Sequence, residues 1–254
     1  MWGEKMERRQ FLRLAQVGAI ASLGGHWAAH AQGGSLSLQW FGHTCFLFTG
    51  SGQRVLVNPF RPLGCTKGLR PPRVTADIVM ISSRLLDEGY IQGLPGRPKL
   101  LLQPGSYKVN GLSIQGIRTS HDRVGGFRFG INVVWRWQQG GINLLHMGGI
   151  AMPITVEQRI LMGQPDVMIV PVGGGAKAYR AEDAKAAIEV LQPRLVIPCH
   201  YRTAAADPNN CDLAGLEDFL KVMEGTPVRR SGGAALSLSA ANLPQKTTIQ
   251  VLSI

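Results

Sequence analysis

A chain of 254 residues with 44% hydrophobic and 17% charged side chains is long enough to bury a sizeable core and too apolar to stay disordered, which leaves one globular domain or two small ones. Its formal charge of +11 favours anionic partners: an anionic small molecule, an acidic protein or an anionic membrane surface. A solvated basic surface that only aids solubility explains the charge equally well, and nucleic acid is set aside as a partner because no recognition motif is present.

The chain opens on a separate object. Glu7-Arg8-Arg9-Gln10-Phe11-Leu12-Arg13 precedes a mildly apolar stretch, Leu14 to Trp27, and then Ala29-His30-Ala31. Paired arginines, a short apolar region and an A-x-A site read as a twin-arginine export signal over residues 1–31, ahead of a mature domain of residues 32–254. A retained basic amphipathic helix and an uncleaved membrane anchor are the alternatives, although the apolar stretch is short and Gly-rich for a span. The expected destination is the periplasm or an equivalent compartment such as a thylakoid lumen. The mature part keeps 23 basic residues against 14 acidic ones, and eight of the basic ones fall between Arg54 and Lys99 with only Asp77, Asp87 and Glu88 to oppose them.

Leu36 to Trp40, Cys45 to Phe48 and Val55 to Val57 are short β-type runs separated by Gly42-His43 and Ser51-Gly52, the pattern of an antiparallel meander. Pro62 to Pro72 reads as a loop. Behind Asp77, the apolar run Ile78-Val79-Met80-Ile81 has the character of a strand buried on both faces, and polar residues Ser82 to Glu88 follow at its end, where chemistry usually sits. Lys99 to Gln103 and Leu112 to Ile117 give two more strands around a turn at Asn110-Gly111, and Ile131 to Trp137 with Ile142 to His146 form a hairpin around Gln139-Gly140-Gly141.

The second half alternates. Val156 to Met162 reads as a helix, Asp166 to Val170 as a buried strand, and Ala181 to Leu191 as an amphipathic helix with Ala184, Ala187, Ile188 and Leu191 on one face. Arg194 to Ile197 is a strand, Leu216 to Met223 a helix, and Ala235 to Leu238 with Thr248 to Leu252 two terminal strands. Strands first, then alternation, predicts two sheets packed face to face under outer helices. Cys65 and Cys211 lie in Gly/Pro/Asn-rich loops where an oxidising compartment permits a bridge, although export in the folded state argues against one, and Cys45 reads as core.

Six motifs occur in a telling order: Phe41-Gly42-His43-Thr44, Val57-Asn58-Pro59-Phe60, Ser120-His121-Asp122, His146-Met147-Gly148-Gly149, Pro171-Val172-Gly173-Gly174 and Pro198-Cys199-His200-Tyr201-Arg202-Thr203. Their order and spacing resemble the metallo-β-lactamase superfamily, in its ascorbate-phosphate-lactonase-like branch of metal-dependent hydrolases. The resemblance implies an α/β (α+β) class and an αββα four-layer sandwich. It also implies two metal ions, held by a His-x-His-x-Asp-His motif, a histidine at His121, an aspartate at the position of Gly149 and a histidine at His200. Here the first motif reads Ser83-Arg84-Leu85-Leu86-Asp87-Glu88. Asp87, His121 and His200 remain, whereas Ser83, Leu85, Glu88 and Gly149 stand at the other positions, and leucine and glycine carry no ligand atom. The family aspartate that supports the metal loop is Asn58, which implies weaker support.

Whether the chain is an enzyme therefore turns on that loss. One expectation is a non-catalytic binding or assembly protein without a cofactor, whose pocket loops survive through Gly125, Gly126, Gly173 and Gly174. The alternative is a hydrolase of a small anionic lactone or phosphoester, with a single divalent metal, zinc or manganese, on Asp87, Glu88, His121 and His200, and with Asp87, His121 and His200 as the catalytic residues. His43 is expected to orient the loop and His146 to be structural. Cys199 beside His200, and Ser82 or Ser83 beside Arg84, are poorly placed as nucleophiles, because neighbouring strand-end residues point apart and no third group orients a base.

Overall fold

Alternation along the first strand sets how the sheets face each other. In the computed structural model, which describes residues 34–254, β1 (Ser35–Gly42) turns Leu36, Leu38 and Trp40 inward and Ser35, Ser37 and Gln39 outward. The export signal read at residues 1–31 lies outside the described residues. β2 (Cys45–Gly50), β3 (Gln53–Val57), β4 (Ile78–Met80) and β5 (Lys99–Leu101) follow β1 across the first sheet.

The second sheet takes β6 (Gly105–Val109), β7 (Leu112–Ser120), β8 (Ile131–Gln139), β9 (Ile142–His146), β10 (Val167–Pro171), β11 (Leu195–Cys199), β12 (Val228–Arg230) and β14 (Thr248–Val251). Only β13 (Ala235–Ser239) returns to the first sheet, antiparallel to β1, giving the orders β13-β1-β2-β3-β4-β5 and β12-β14-β11-β10-β9-β8-β7-β6. Both sheets mix parallel and antiparallel pairs, as an α/β fold with hairpins at one end and crossovers at the other requires.

The core between the sheets is built by alternate residues of each. Phe46 and Phe48 of β2 meet Trp135 and Trp137 of β8 within one cluster, and Phe48 stands edge-on to Trp137 with ring centroids 4.9 Å apart. The other face of β2, Cys45 and Leu47, belongs to a second cluster with Leu56, Phe60, Leu69, Val79 and Ile81. That face is covered by the irregular segments after β3 and β4, which contribute Phe60, Leu69, Val74, Ile91 and Leu94. The three α-helices among the described residues, α1 (Val156–Met162), α2 (Ala181–Leu191) and α3 (Leu216–Val222), all connect strands of the second sheet. Among the described residues the outer face of the first sheet is covered by loop segments, whose Pro-rich sequence supports no long helical run.

α1 and α2 appear at the bounds read from the sequence. Thr155 and Gln158 cap α1 reciprocally, and α2 ends at Gln192 in the left-handed conformation just before Pro193. β9, β10, β11 and β14 run parallel, so the ends of β9, β10 and β11 deliver His146, Val172 and His200 to one edge of the molecule. Ligand sites of open α/β sheets lie at such ends. A disulfide joins Cys65 to Cys211, while Cys45 and Cys199 are free and buried.

Candidate metal centre at the strand ends

Four chain segments converge at that edge. His43 sits in the turn between β1 and β2, Asp87 and Glu88 in the segment after β4, His121 just beyond β7 and His200 just beyond β11. His43, Asn58 and His200 all hold φ near +50°, a region that non-glycine residues seldom occupy and that is enriched at functional sites. The backbone is pinned there: the His200 N–H donates to the His43 carbonyl at 3.3 Å, and the Trp40 indole N–H donates to the same carbonyl at 3.0 Å. Asn58, fully buried, uses both ends of its amide. Its Nδ2 donates to Thr44 Oγ1 at 3.2 Å and its Oδ1 accepts from the Ser82 N–H at 2.7 Å, so it ties the β1–β2 turn to the segment after β4. The support expected to weaken at Asn58 has instead been rebuilt, because an amide supplies a donor that a carboxylate lacks.

Glu88 lies at the centre, wholly buried. Its Oε2 is 2.8 Å from His121 Nε2 and accepts from Ser83 Oγ at 3.1 Å, while Thr44 Oγ1 donates to Oε1 at 3.4 Å. His121 Nδ1 lies 2.6 Å from the Gly149 carbonyl oxygen and 3.0 Å from that of Lys177. A ring with carbonyls at one nitrogen and a carboxylate at the other favours an imidazolium: Nδ1 donates to a carbonyl, and Nε2 is ion-paired with Glu88 although its N–H is not aligned for a hydrogen bond. Burial, the largest single influence, lowers the His121 pKa, but the Glu88 charge, the contact with Glu88 and the Gly149 carbonyl together outweigh it and the net direction is upward. Burial likewise raises Glu88, and the pairing with His121 brings it well below the usual carboxylate range.

His43 and His200 differ from His121. Their rings stack with centroids 4.0 Å apart, and His43 Nε2 and both ring nitrogens of His200 are buried without a hydrogen-bond partner. Burial lowers the pKa of both rings, His200 well below its ordinary value, so both are neutral and offer lone pairs. Orphaned buried polar atoms are costly, about 1–3 kcal/mol each, and call for a ligand or a functional explanation. Ligand atoms of His43, Glu88 and His200 all lie within 4.8 Å of one another.

Asp87, one residue from Glu88, is committed elsewhere. Its carboxylate is ion-paired with the Lys177 ammonium, and its Oδ2 stands 3.9 Å from His43 Nε2. Side-chain exposure is 14% for Asp87 and 24% for Lys177 against at most 3% for His43, Glu88, His121 and His200, so this pair is the solvent-facing part of the cluster. Burial, the largest single influence, lowers the Lys177 pKa, but the charge and hydrogen bond of Asp87 with the charges of Glu88 and Asp212 together raise it by more, which keeps the ammonium charged.

Of the residues singled out from sequence, Glu88, His121 and His200 are brought together, and Asp87 sits at their outer rim. His43 joins the donors as well as shaping its turn. His146 is structural: its Nε2 lies 3.0 Å from the Thr44 carbonyl oxygen, its Nδ1 accepts from the Gly148 N–H, and burial drops its pKa to about 4. Cys199 is inert, since burial pushes its thiol pKa well up. Lys177 escaped sequence reading altogether.

The donor set fits one divalent ion and does not fit two. Two neutral imidazoles and a carboxylate oxygen are the ligand types of a His2Glu catalytic zinc site. A second ion would need the positions of Ser83, Leu85 and Gly149, with Asp87 already bonded to Lys177 and His121 to Glu88.

The β-lactamase superfamily domain matches residues 37–200. A metal-dependent hydrolase of the UPF0173 group from Methanoculleus marisnigri is 27% identical over 210 residues, covering 75% of this chain and 90% of the relative. A second member, from Carboxydothermus hydrogenoformans, is 24% identical over 199 residues, 66% of this chain and 85% of the relative. A crystal structure of a proposed Zn-dependent hydrolase of the metallo-β-lactamase superfamily from Thermotoga maritima superposes with a TM-score of 0.68 at 29% identity, over 86% of this chain and all of that one. With that domain spanning most of the described sheets, the chain belongs to the metallo-β-lactamase superfamily.

Proposed function

We propose that the chain is a hydrolase of a small anionic lactone or phosphoester, working with one divalent ion, zinc or manganese, held by His43, Glu88 and His200. The observation that carries this reading is the convergence of three buried donors, with both imidazoles unpartnered, at the strand ends. When bound, such an ion supplies Lewis acidity toward a carbonyl or phosphoryl oxygen and toward water.

The chain's own residues do the remaining work. Glu88 presents Oε1 because its Oε2 is fixed by His121 and Ser83, and His121 is in turn fixed by the Gly149 and Lys177 carbonyls. Asp87, the carboxylate at the rim, serves as acceptor for the proton of the attacking water once Lys177 releases its Oδ2. The net positive charge of the chain favours an anionic substrate.

A second reading, a non-catalytic protein that binds an anionic ligand, an acidic partner or an anionic membrane surface, is favoured by one observation. Both carboxylates of the site are neutralised by the protein's own cations, Glu88 by His121 and Asp87 by Lys177. Elemental analysis of the protein purified without chelator, with a lactone and phosphoester hydrolysis screen, separates the two. One equivalent of metal, lost in His43→Ala and in His200→Ala, with turnover, supports the hydrolase; metal far below one equivalent without turnover leaves the binding protein. Under either reading we place the mature domain outside the cytoplasm through its twin-arginine signal, and the Cys65–Cys211 bridge supports this because such bridges persist in oxidising compartments.

A further inference from the structure

Lys177 lies on the strap between β10 and α2, and its ammonium stands one carboxylate oxygen away from His43, through Asp87 Oδ2. The strap is held down on both sides of it. Its own carbonyl faces His121 Nδ1 at 3.0 Å, and Arg123 clamps the next residue, donating from Nη2 to the Ala178 carbonyl at 2.9 Å while Nη1 pairs with Asp183 at 2.8 Å. A lysine ammonium has three donors, and among the described residues Asp87 is the one hydrogen-bond acceptor it meets. The side chain is partly exposed, so its remaining donors are within reach of a solute at the solvent-facing side of the cluster. A fixed, half-buried cation with unused donors at the mouth of a closed site is a receptor for an oxyanion.

We propose that Lys177 is the substrate-anion receptor of this site and that it works by ion-pair exchange: the carboxylate or phosphate oxygens of the incoming molecule take the ammonium from Asp87. This rests on the hydrolase reading for its consequence, since the displaced Asp87 is then a free carboxylate beside the cluster, able to accept a proton from water. No bond is made or broken in the exchange; one anion replaces another on the same cation. In the absence of substrate the pair keeps Asp87 occupied, so the proton acceptor is set free only when an anion has arrived.

Inorganic phosphate is the probe. Its affinity is measured calorimetrically on the full chain as isolated and after chelator treatment, with metal content determined on the same samples. Wild type should bind phosphate in both samples. Lys177→Met should weaken binding about tenfold or more, Lys177→Arg should retain most of it, and Asp87→Asn, which removes the competing anion, should tighten it by a similar factor. Lys108→Met, an exposed lysine on β6 with the same loss of charge, should leave it unchanged. Wild-type affinity in Lys177→Met overturns the receptor role, and an Asp87→Asn protein that binds no more tightly than wild type overturns the exchange. Because the chelator-treated samples report Lys177 without metal, a protein that holds no metal would sink the hydrolase reading and leave this result to stand or fall separately.

Discussion

A β-carbon on Gly149 would overlap the imidazole of His121, whose Nδ1 sits 2.6 Å from the Gly149 carbonyl oxygen. The missing side chain at position 149 and the inward seat of His121 are therefore one arrangement. The aspartate that the family resemblance puts there requires His121 to leave Glu88. Gly149→Ala should cost about 1–3 kcal/mol by overpacking, and Gly149→Asp more. Urea denaturation of both variants checks this; wild-type midpoints would show that His121 has another position of equal energy.

Glu88 and His121 form a buried ion pair, so each protects the other from being an isolated buried charge. Glu88→Gln should destabilise the fold by about 3–5 kcal/mol, mostly because the imidazolium is left uncompensated. Adding His121→Asn to it should then cost little more. A double-mutant cycle measures the coupling, and strictly additive losses would mean that the two groups do not act as a pair.

Asp122 anchors the turn that follows His121. Burial raises its carboxyl, but four backbone N–H groups outweigh that: Val124 and Gly126 donate to Oδ1, Arg128 and Phe129 to Oδ2, and the pKa falls from 3.8 to about 2. A folded value below the unfolded one adds stability above pH 3.8, lost as the pH falls through about 2. Urea midpoints taken between these limits should fall more steeply for wild type than for Asp122→Asn. Parallel curves would assign the acid sensitivity to other groups, such as Asp207, which is also held at about 2.

What the sequence made legible followed from pattern strength. α2 carries a 3.6-residue apolar period with clear ends, and β10 and β11 are apolar runs, so all three stood out. β6 begins at a glycine and is half exposed throughout, and β12 is three exposed residues, Val228-Arg229-Arg230; neither has a face to read. In the site, Glu88, His121 and His200 were reached through motifs. Lys177 was not, because its contact with Asp87 spans 90 residues and a lone lysine in a Gly/Ala strap has no spacing that announces it.

The loops flanking the His200 turn depend on a cross-link distant from the donors in sequence. Cys65 and Cys211 join the loop before β4 to the segment after β11, where Gly68 N–H also donates to the Ala205 carbonyl at 2.8 Å and Lys67 pairs with Asp207 at 2.8 Å. The bridge closes a sequence separation of 146 residues, so it removes much unfolded-chain entropy, and replacing both cysteines by alanine should lower stability by about 2–5 kcal/mol. His43, Glu88 and His200 are held by the ends of β1, β4 and β11 and by Asn58, none of which needs the bridge, so metal uptake should survive the change. Reductant should lower the Tm of wild type to that of the double variant and leave the variant unmoved; a wild-type Tm indifferent to reductant would mean that the bridge contributes nothing to the folded protein in solution.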